Sequence, residues 1–386
     1  MASDRGVTVL QPSRALSAAH TAGAAAGVTR LAEITDLDLI GIPVFQAVRP
    51  AGRSLSVHQG KGVTREAAMI GALMEAVECD RAEQPVGESW SAAFASLPAS
   101  ERAPILADFA VNSGAPPSDE EPLAWLPGRR LRGGARFWVP LEVVCLDFSR
   151  PGDHGLERST VGLGARFDAG QATLKGLLEV VERDAEKAWY TLSMDHRTRS
   201  SVDLESIDVE IFHVLRNRIL NAGLWLSVYH LPAVIPLPVF LAEIIETGAG
   251  ANLRHIAVGS ACAVTAEGAL VGAVLEAAQS RLTAISGARD DILYPETPRG
   301  AGDHLGVALP QPPHIRSLSW DALGEEFSPP AVANATAIAE SLAAAGYPDA
   351  AVVDLTAPGA DVCVIKALVP GLGSSARPRR KGNVPA

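Results

Sequence analysis

Three apolar stretches of the chain, GALMEAVE, LKGLLEVVERDA and GAVLEAAQSR, each carry a polar pair three residues apart: Glu75 with Glu78, Glu179 with Glu182, and Glu276 with Gln279. On a helix, residues at i and i+3 project from one face about a turn apart, so each pair presents two oxygen-bearing groups to one point. A carboxylate among Ala, Leu, Met and Val is costly to bury without a partner. Each of these glutamates therefore demands a cation, a metal or a hydrogen-bond donor. A glycine precedes each pair by about one turn, at Gly71, Gly176 and Gly272. Glycine in a helix interior costs roughly 1 kcal/mol against alanine, so its recurrence implies space kept beside each carboxylate, for a ligand or for a close-packed neighbour.

At 386 residues, 47% hydrophobic and 20% charged, the chain has the makings of a folded protein with a large core. A formal net charge of -11 argues against gripping nucleic acid or an anionic membrane. Any anionic ligand must be held by local basic residues or a metal. Cys79, Cys145, Cys262 and Cys363 are scattered and form no CxxC, which indicates neither a zinc site nor a disulfide framework and fits a reducing cytoplasm. The alanine-rich SRALSAAHTAGAAAGVTR is too polar for a signal sequence, and no run is apolar and long enough for a membrane span.

Strand-like and helix-like segments alternate, placing the chain in the α/β or α+β class. Strands in residues 28–60 end at Gly60-Lys61-Gly62, and Thr64 caps a helix running to about Glu83. Residues 85–135, rich in Pro, Ser, Ala and Gly, read as a peripheral excursion. A strand pair is expected around FWVPLEVVCLDF, then a glycine turn at 160–165 and a second helix over 169–191. A helix near 206–222 precedes the strands LWLSVYH and PVFLAEII; HIAVGSACA leads into a third helix over 266–286. A last unit pairs a helix near 331–346 with AAVVDL and VCVIKALV. The expected organisation is one domain, with its core over 28–372 and a flexible tail over 373–386. No fixed-period repeat stands out.

Converging carboxylates suit magnesium, which takes oxygen ligands and bridges substrate phosphates. A nucleotide is the natural third party. Lys61 lies just before a predicted helix N-terminus, where free N–H groups favour phosphate, yet the surroundings are not a Walker A loop, since Gly62 follows Lys61 and Leu55 stands where the first glycine belongs. Arg183, Arg281 and Arg289 offer guanidinium forks for phosphate, or for salt bridges to the same glutamates. No HExxH or GxSxG motif supports a hydrolase.

In order, the segments GVTRLAEITDLDLIGIPVFQAVRP, GKGVTREAAMIGALMEAVE, VGLGARFDAGQATLKGLLEVVERDAEKAWY, GALVGAVLEAAQSRLTAISGARDD and VIKALVPGL resemble the YcaO family of ATP-using peptide-modifying enzymes. The resemblance implies a fold of mixed sheets whose helices line an ATP and Mg2+ site unlike a P-loop. By position, Glu75, Glu78, Glu179 and Glu182 would hold metal. Lys61, Glu75, Glu179, Glu276, Gln279 and Arg289 would face the nucleotide, with Arg183 and Arg281 on the phosphates as catalytic groups. The implied reaction phosphorylates a backbone amide oxygen of a precursor peptide and yields an azoline, thioamide or amidine. Departures from the family pattern are Gly71 for Ser, Cys79 for Arg and Val161 for a polar residue. The tail NVPA matches the proline-rich ending of azoline formers only in part. The residues before Lys61 are claimed by family-like strands, so the resemblance implies a separate leader-binding or TfuA-type sulfur-delivery partner, and a homodimer. The opening block leans towards thioamide formation. The competing reading is a non-catalytic nucleotide-binding accessory protein.

Overall fold

The computed structural model describes residues 12–85, 87, 89–109, 116–150, 152, 154–246, 256–287, 317–327 and 334–372. In chain order these form α1 (Pro12–Ala25), β1 (Arg30–Glu33), β2 (Val44–Val48), β3 (Val57–Lys61), α2 (Arg65–Glu83), β4 (Trp90–Ala93), β5 (Pro122–Arg130), β6 (Arg136–Pro140), α3 (Leu141–Val144), β7 (Leu163–Arg166), α4 (Ala169–Tyr190), α5 (Met194–Arg199), α6 (Glu210–Asn221), β8 (Leu224–His230), β9 (Val239–Glu246), β10 (Ala257–Cys262), α7 (Ala266–Ser286), α8 (Trp320–Glu326), α9 (Ala335–Ala344), β11 (Ala351–Asp354) and β12 (Cys363–Leu368).

The strands form three antiparallel sheets: β1-β2-β3, β10-β9-β8, and a larger one ordered β4-β5-β11-β12-β7 with β6 on β5. The strands β3, β7 and β10 that lead into the three Glu-bearing helices each lie at the edge of their own sheet. The three edges therefore carry backbone N–H groups that no neighbouring strand takes up.

Each edge strand feeds its helix through the same cap. The side chains of Thr64, Asp168 and Thr265 accept hydrogen bonds from the N–H groups of Ala67 (3.2 Å), Gln171 (2.9 Å) and Gly268 (3.1 Å). Counted from these caps the units coincide: Glu75, Glu179 and Glu276 stand at the eleventh position, and Glu78, Glu182 and Gln279 at the fourteenth. The chain thus holds a threefold repeat of strand, cap and helix, spaced too irregularly to show as a sequence period.

Glycine lets each helix press onto its strand. A Cβ on Gly60 would lie 2.1 Å from the Ala68 oxygen, on Gly164 2.1 Å from the Ala172 oxygen, and on Gly259 2.1 Å from the Ala277 nitrogen. The helix glycines answer the same need: a Cβ on Gly71 would meet the Gly60 Cα at 3.3 Å, on Gly176 the Gly162 oxygen at 2.3 Å, and on Gly272 the Ala261 Cβ at 2.8 Å. The space beside each carboxylate is thus taken by a close-packed neighbour.

Two segments differ from expectation. The stretch 85–135, expected as a peripheral excursion, supplies β4 and β5 to the largest sheet, with Phe94, Trp125 and Leu126 fully buried. Its glycines and prolines hid the alternation of β5, whose burial pattern is regular only over its first residues. The expected strand pair at FWVPLEVVCLDF is one strand, β6, followed by the single turn α3, closed by the Cys145 N–H on the Leu141 carbonyl at 2.8 Å. Pro140, with no N–H to give a ladder, ends β6. Among the described residues no helix is long and apolar enough to cross a membrane. All four cysteines are free thiols. The tail 373–386 lies outside the described residues.

Candidate active site

The three units close into a ring because each helix also touches the next unit's edge strand: α2 lies against β7, α4 against β10, and α7 against β3. The first carboxylate of a helix bonds its own unit, and the second reaches across. The Gln59 N–H donates to Glu75 Oε2 at 3.3 Å, and the Gly162 N–H to Glu179 Oε2 at 3.3 Å. Glu78 Oε1 accepts from the Ala165 N–H at 2.7 Å, and Glu182 Oε2 from the Cys262 N–H at 3.1 Å. Backbone donors on the edge strands, or in the case of Gly162 just before one, thus hold the four glutamates singled out in the sequence.

Cations are threaded between them. Lys175 Nζ donates to Glu78 Oε1 at 2.6 Å and to the Leu163 carbonyl at 3.1 Å. Lys61 Nζ donates to Glu276 Oε2 at 2.9 Å. Arg183 pairs with Glu186 at 2.7 Å and reaches Glu182 at 3.7 Å and Glu276 at 3.6 Å. The ring is joined a second time by Thr283 Oγ1, which donates to the Gln59 side chain. Gln279 lies half-buried between Glu276 and Thr283 on α7.

The carboxylates remain short of positive charge. Burial, reinforced by the Glu78 charge, pushes Glu75 up to about 7. Burial and Glu276 push Glu182 up to about 8. Glu179 is raised by burial and then by Glu78, against Lys175 and Arg183. Crowded buried carboxylates of this kind favour a proton or a hard cation. Among the described residues no three acidic, His or Cys side chains converge closely enough to hold an ion by themselves. Magnesium commonly uses only one or two carboxylates and completes its shell with phosphates and water, so the residues fit an ion brought with a nucleotide.

Arg281 takes the salt-bridge alternative, with partners other than the helix glutamates: Nε meets Asp38 Oδ2 at 3.0 Å and Nη1 meets Glu246 Oε1 at 3.0 Å. Arg289 lies outside the described residues.

Sequence reasoning missed two lysines, the half-buried Lys175 and the buried Lys366. Lys175 interrupts the apolar face of α4 one turn before Glu179, and Lys366 interrupts the apolar strand VCVIKALV. A charged residue inside an apolar run was the available signal for both. Burial lowers Lys366 to about 8, opposed by the nearby Glu179. Lys366 and Arg183 line a pocket of about 90 Å³ whose walls include Phe109, Val143, Val161, Val180 and Leu368.

Residues 59–373 match the family model described as YcaO cyclodehydratase, ATP- and Mg2+-binding. The chain is 34% identical over 359 residues to an uncharacterized protein in the tfuA 3′ region of Rhizobium leguminosarum bv. trifolii, covering 90% of this chain and 84% of that protein. Among solved structures it resembles YcaO from Methanopyrus kandleri bound with AMPPCP and Mg2+ (TM-score 0.71, 22% identity, 94% of this chain and 91% of that one). It also resembles a heterocyclase in complex with substrate and cofactor (TM-score 0.75, 19% identity, 95% of this chain), of which it spans about half, 53%. The ring's bonded side chains, from Gln59 to Thr283, fall within the matched residues, and this chain belongs to the ATP- and Mg2+-binding YcaO cyclodehydratase family.

Proposed function

We propose that the chain is an enzyme that uses ATP and magnesium to phosphorylate a backbone amide oxygen of a ribosomally made peptide, so that a sulfur, hydroxyl or amine nucleophile can replace it. The observation that carries this reading is the crowding of the carboxylates Glu75, Glu179 and Glu182, half-buried or buried, held on backbone N–H groups at the edge strands with cations between them. Bound magnesium would neutralise developing charge on the phosphates. Glu75, Glu78, Glu179 and Glu182 would hold it, with Lys61, Glu276 and Gln279 on the nucleotide side and Arg183 on the transferring phosphoryl. Arg281, tied to Asp38 and Glu246, would act by positioning α7. Arg289 stays in the proposed nucleotide set on sequence grounds.

An amide oxygen is a poor leaving group. As the nucleophile's electron pair forms the bond to the amide carbon, the C=O π pair moves onto oxygen, and that oxygen takes the γ-phosphoryl while the bond to ADP breaks. Phosphate then leaves with its bonding pair. An attacking thiol, hydroxyl or amine gives up its own proton to solvent, and loss of the amide N–H proton then gives C=N in an azoline or amidine; loss of an S–H proton from added hydrosulfide gives C=S in a thioamide. Arg183, close to both Glu182 and Glu276, is placed to hold charge on the moving phosphoryl.

Among the products we favour the thioamide, with a TfuA-type partner delivering sulfur, because the Rhizobium relative is encoded beside tfuA. Work in the reducing cytoplasm accords with four free thiols. A homodimer belongs to the same proposal, and light scattering checks it. The test of the activity is calorimetric titration of Mg·ATP into the protein and into Glu75→Gln and Glu182→Gln. Binding that needs magnesium and is lost in both variants supports the site; absence of binding in the parent protein overturns it. Binding without phosphate release, with partner and peptide supplied, would leave the accessory-protein reading, to which the thiol of Cys79 and the apolar Val161 would then be relevant.

A further inference from the structure

Lys366 is 2% exposed, and among the described residues its ammonium has one hydrogen-bond acceptor, the Ser159 carbonyl. An ammonium carries three N–H donors. A buried charge with an incomplete shell is costly unless something else meets it, and Lys366 faces the pocket shared with Arg183. The pocket's position is equally telling. Val161 and Val180 in its wall flank Gly162 and Glu179, the donor and acceptor of the second unit. Glu179 lies within the electrostatic reach of both Arg183 and Lys366. One side of the pocket therefore adjoins the carboxylate ring; the rest of the wall mixes Phe109, Val143 and Leu368 with the charged Asp108, Glu157 and Lys187, and Glu157 also lies within electrostatic reach of Lys366.

From this geometry we propose that the pocket is the seat of the acceptor amide, whose carbonyl oxygen accepts hydrogen bonds from Lys366 and Arg183 while a short side chain fills the apolar part of the wall. This rests on the reading of the chain as an amide-phosphorylating enzyme and adds the substrate class at the reacting position. Two cations on one carbonyl oxygen polarise it towards the attacking nucleophile and hold the charge it gains until the phosphoryl arrives. Donors already fixed in an apolar site are worth more than the same donors in water. At about 90 Å³, the space admits one amide with a small side chain. A long side chain would overfill it.

The probes are N-acetyl, N-methylamide derivatives of Gly, Ala, Val and Lys, presented to protein loaded with magnesium and a non-hydrolysable ATP analogue. Their binding is read by saturation-transfer NMR, and analogue binding is read separately by calorimetry. The Ala and Val derivatives should bind and the Lys derivative should not. Lys366→Met should keep analogue affinity and weaken amide binding about tenfold or more, the loss typical of one hydrogen bond to a charged group; Lys366→Arg should restore part of it. Val143→Phe, which fills the pocket from the wall away from the nucleotide, should block the amides while sparing the analogue. This keeps the test open if Lys366→Met fails to fold. The proposal is overturned if no capped amide binds the analogue-loaded protein, if Val143→Phe and Lys366→Met bind amides as the parent does, or if Lys366→Met loses analogue and amide together. Failure of the parent protein to bind the analogue would instead remove the underlying enzymatic reading.

Discussion

Glu78 and Glu182 occupy equivalent places in successive units, each bonded by the N–H that stands three residues before the next unit's helix cap: Ala165 at 2.7 Å for Glu78 and Cys262 at 3.1 Å for Glu182. In the third unit the equivalent position is Gln279, and the residue three before the first cap is Lys61. The ring therefore has two junctions in which the fourteenth-position carboxylate meets a backbone N–H, and a third joined instead by Lys61 to Glu276 and by Thr283 to Gln59. On the proposed function, the two carboxylate junctions would face the metal and the third would face the nucleotide.

Stability without ligand should fall with rising pH. Glu182 is raised from 4.5 to about 8 by burial and by Glu276. Between those values the folded state binds a proton that the unfolded state has lost, so the contribution is fully present below about 4.5 and is lost as pH rises through about 8. Thermal unfolding of ligand-free protein should show the decline. Glu182→Gln should flatten it and be the more stable protein at pH 8, by on the order of 1 kcal/mol or more. An unchanged slope would mean that Glu182 ionises normally.

Ser260 should matter to magnesium without touching it. Its hydroxyl donates to Glu182 Oε1 at 2.9 Å and fixes the carboxylate's orientation. Outer partners of metal ligands typically contribute 10–100-fold in affinity. Ser260→Ala should weaken magnesium in the ternary complex by about tenfold, as measured by titrating the metal at saturating nucleotide.

The glycines of the edge strands should be intolerant of any side chain. Gly60→Ala and Gly164→Ala place a methyl group 2.1 Å from a helix carbonyl oxygen, at or above the upper end of ordinary overpacking, about 3 kcal/mol. Gly324 in α8 has nothing within 4 Å of a new Cβ, and Gly324→Ala should stabilise by roughly 0.4–1 kcal/mol. Urea midpoints for the three variants test the opposite signs.

Arg281→Met should act on stability more than on ligand affinity. It strands the buried Asp38 carboxylate and frees Glu246, at a cost of about 2 kcal/mol. Calorimetry of the folded variant should find Mg·ATP affinity within a few-fold of the parent. A selective loss of affinity at unchanged stability would return Arg281 to the phosphates.

The long helices were readable because their signals are local. Thr64, Asp168 and Thr265 are strong caps, and the predicted spans 169–191 and 266–286 meet the observed Ala169–Tyr190 and Ala266–Ser286 within a residue. The glutamate pairs were visible because charge inside an apolar run is itself a signal. Their partners were not, because Glu78 is answered by the backbone of Ala165 and Glu182 by that of Cys262, and a backbone N–H leaves no trace in side-chain chemistry. The glycines marked close packing, but nothing local told them from glycines that make room for a ligand. At β5, prolines and glycines obscured a strand whose place is decided by β4, β6 and β11 around it.

Lys61 and Glu276, which close the ring, are 215 residues apart in the chain. A contact of that range carries a loop-closure cost that local structure cannot offset in advance, and it forms late in folding. During synthesis the first two units can emerge, cap and pack, but the third edge remains empty until α7 has left the ribosome. A nascent or truncated chain that stops short of α7 is therefore left with buried acidic helices and no closed site. On the proposed function, nucleotide binding would report that the whole ring has been made.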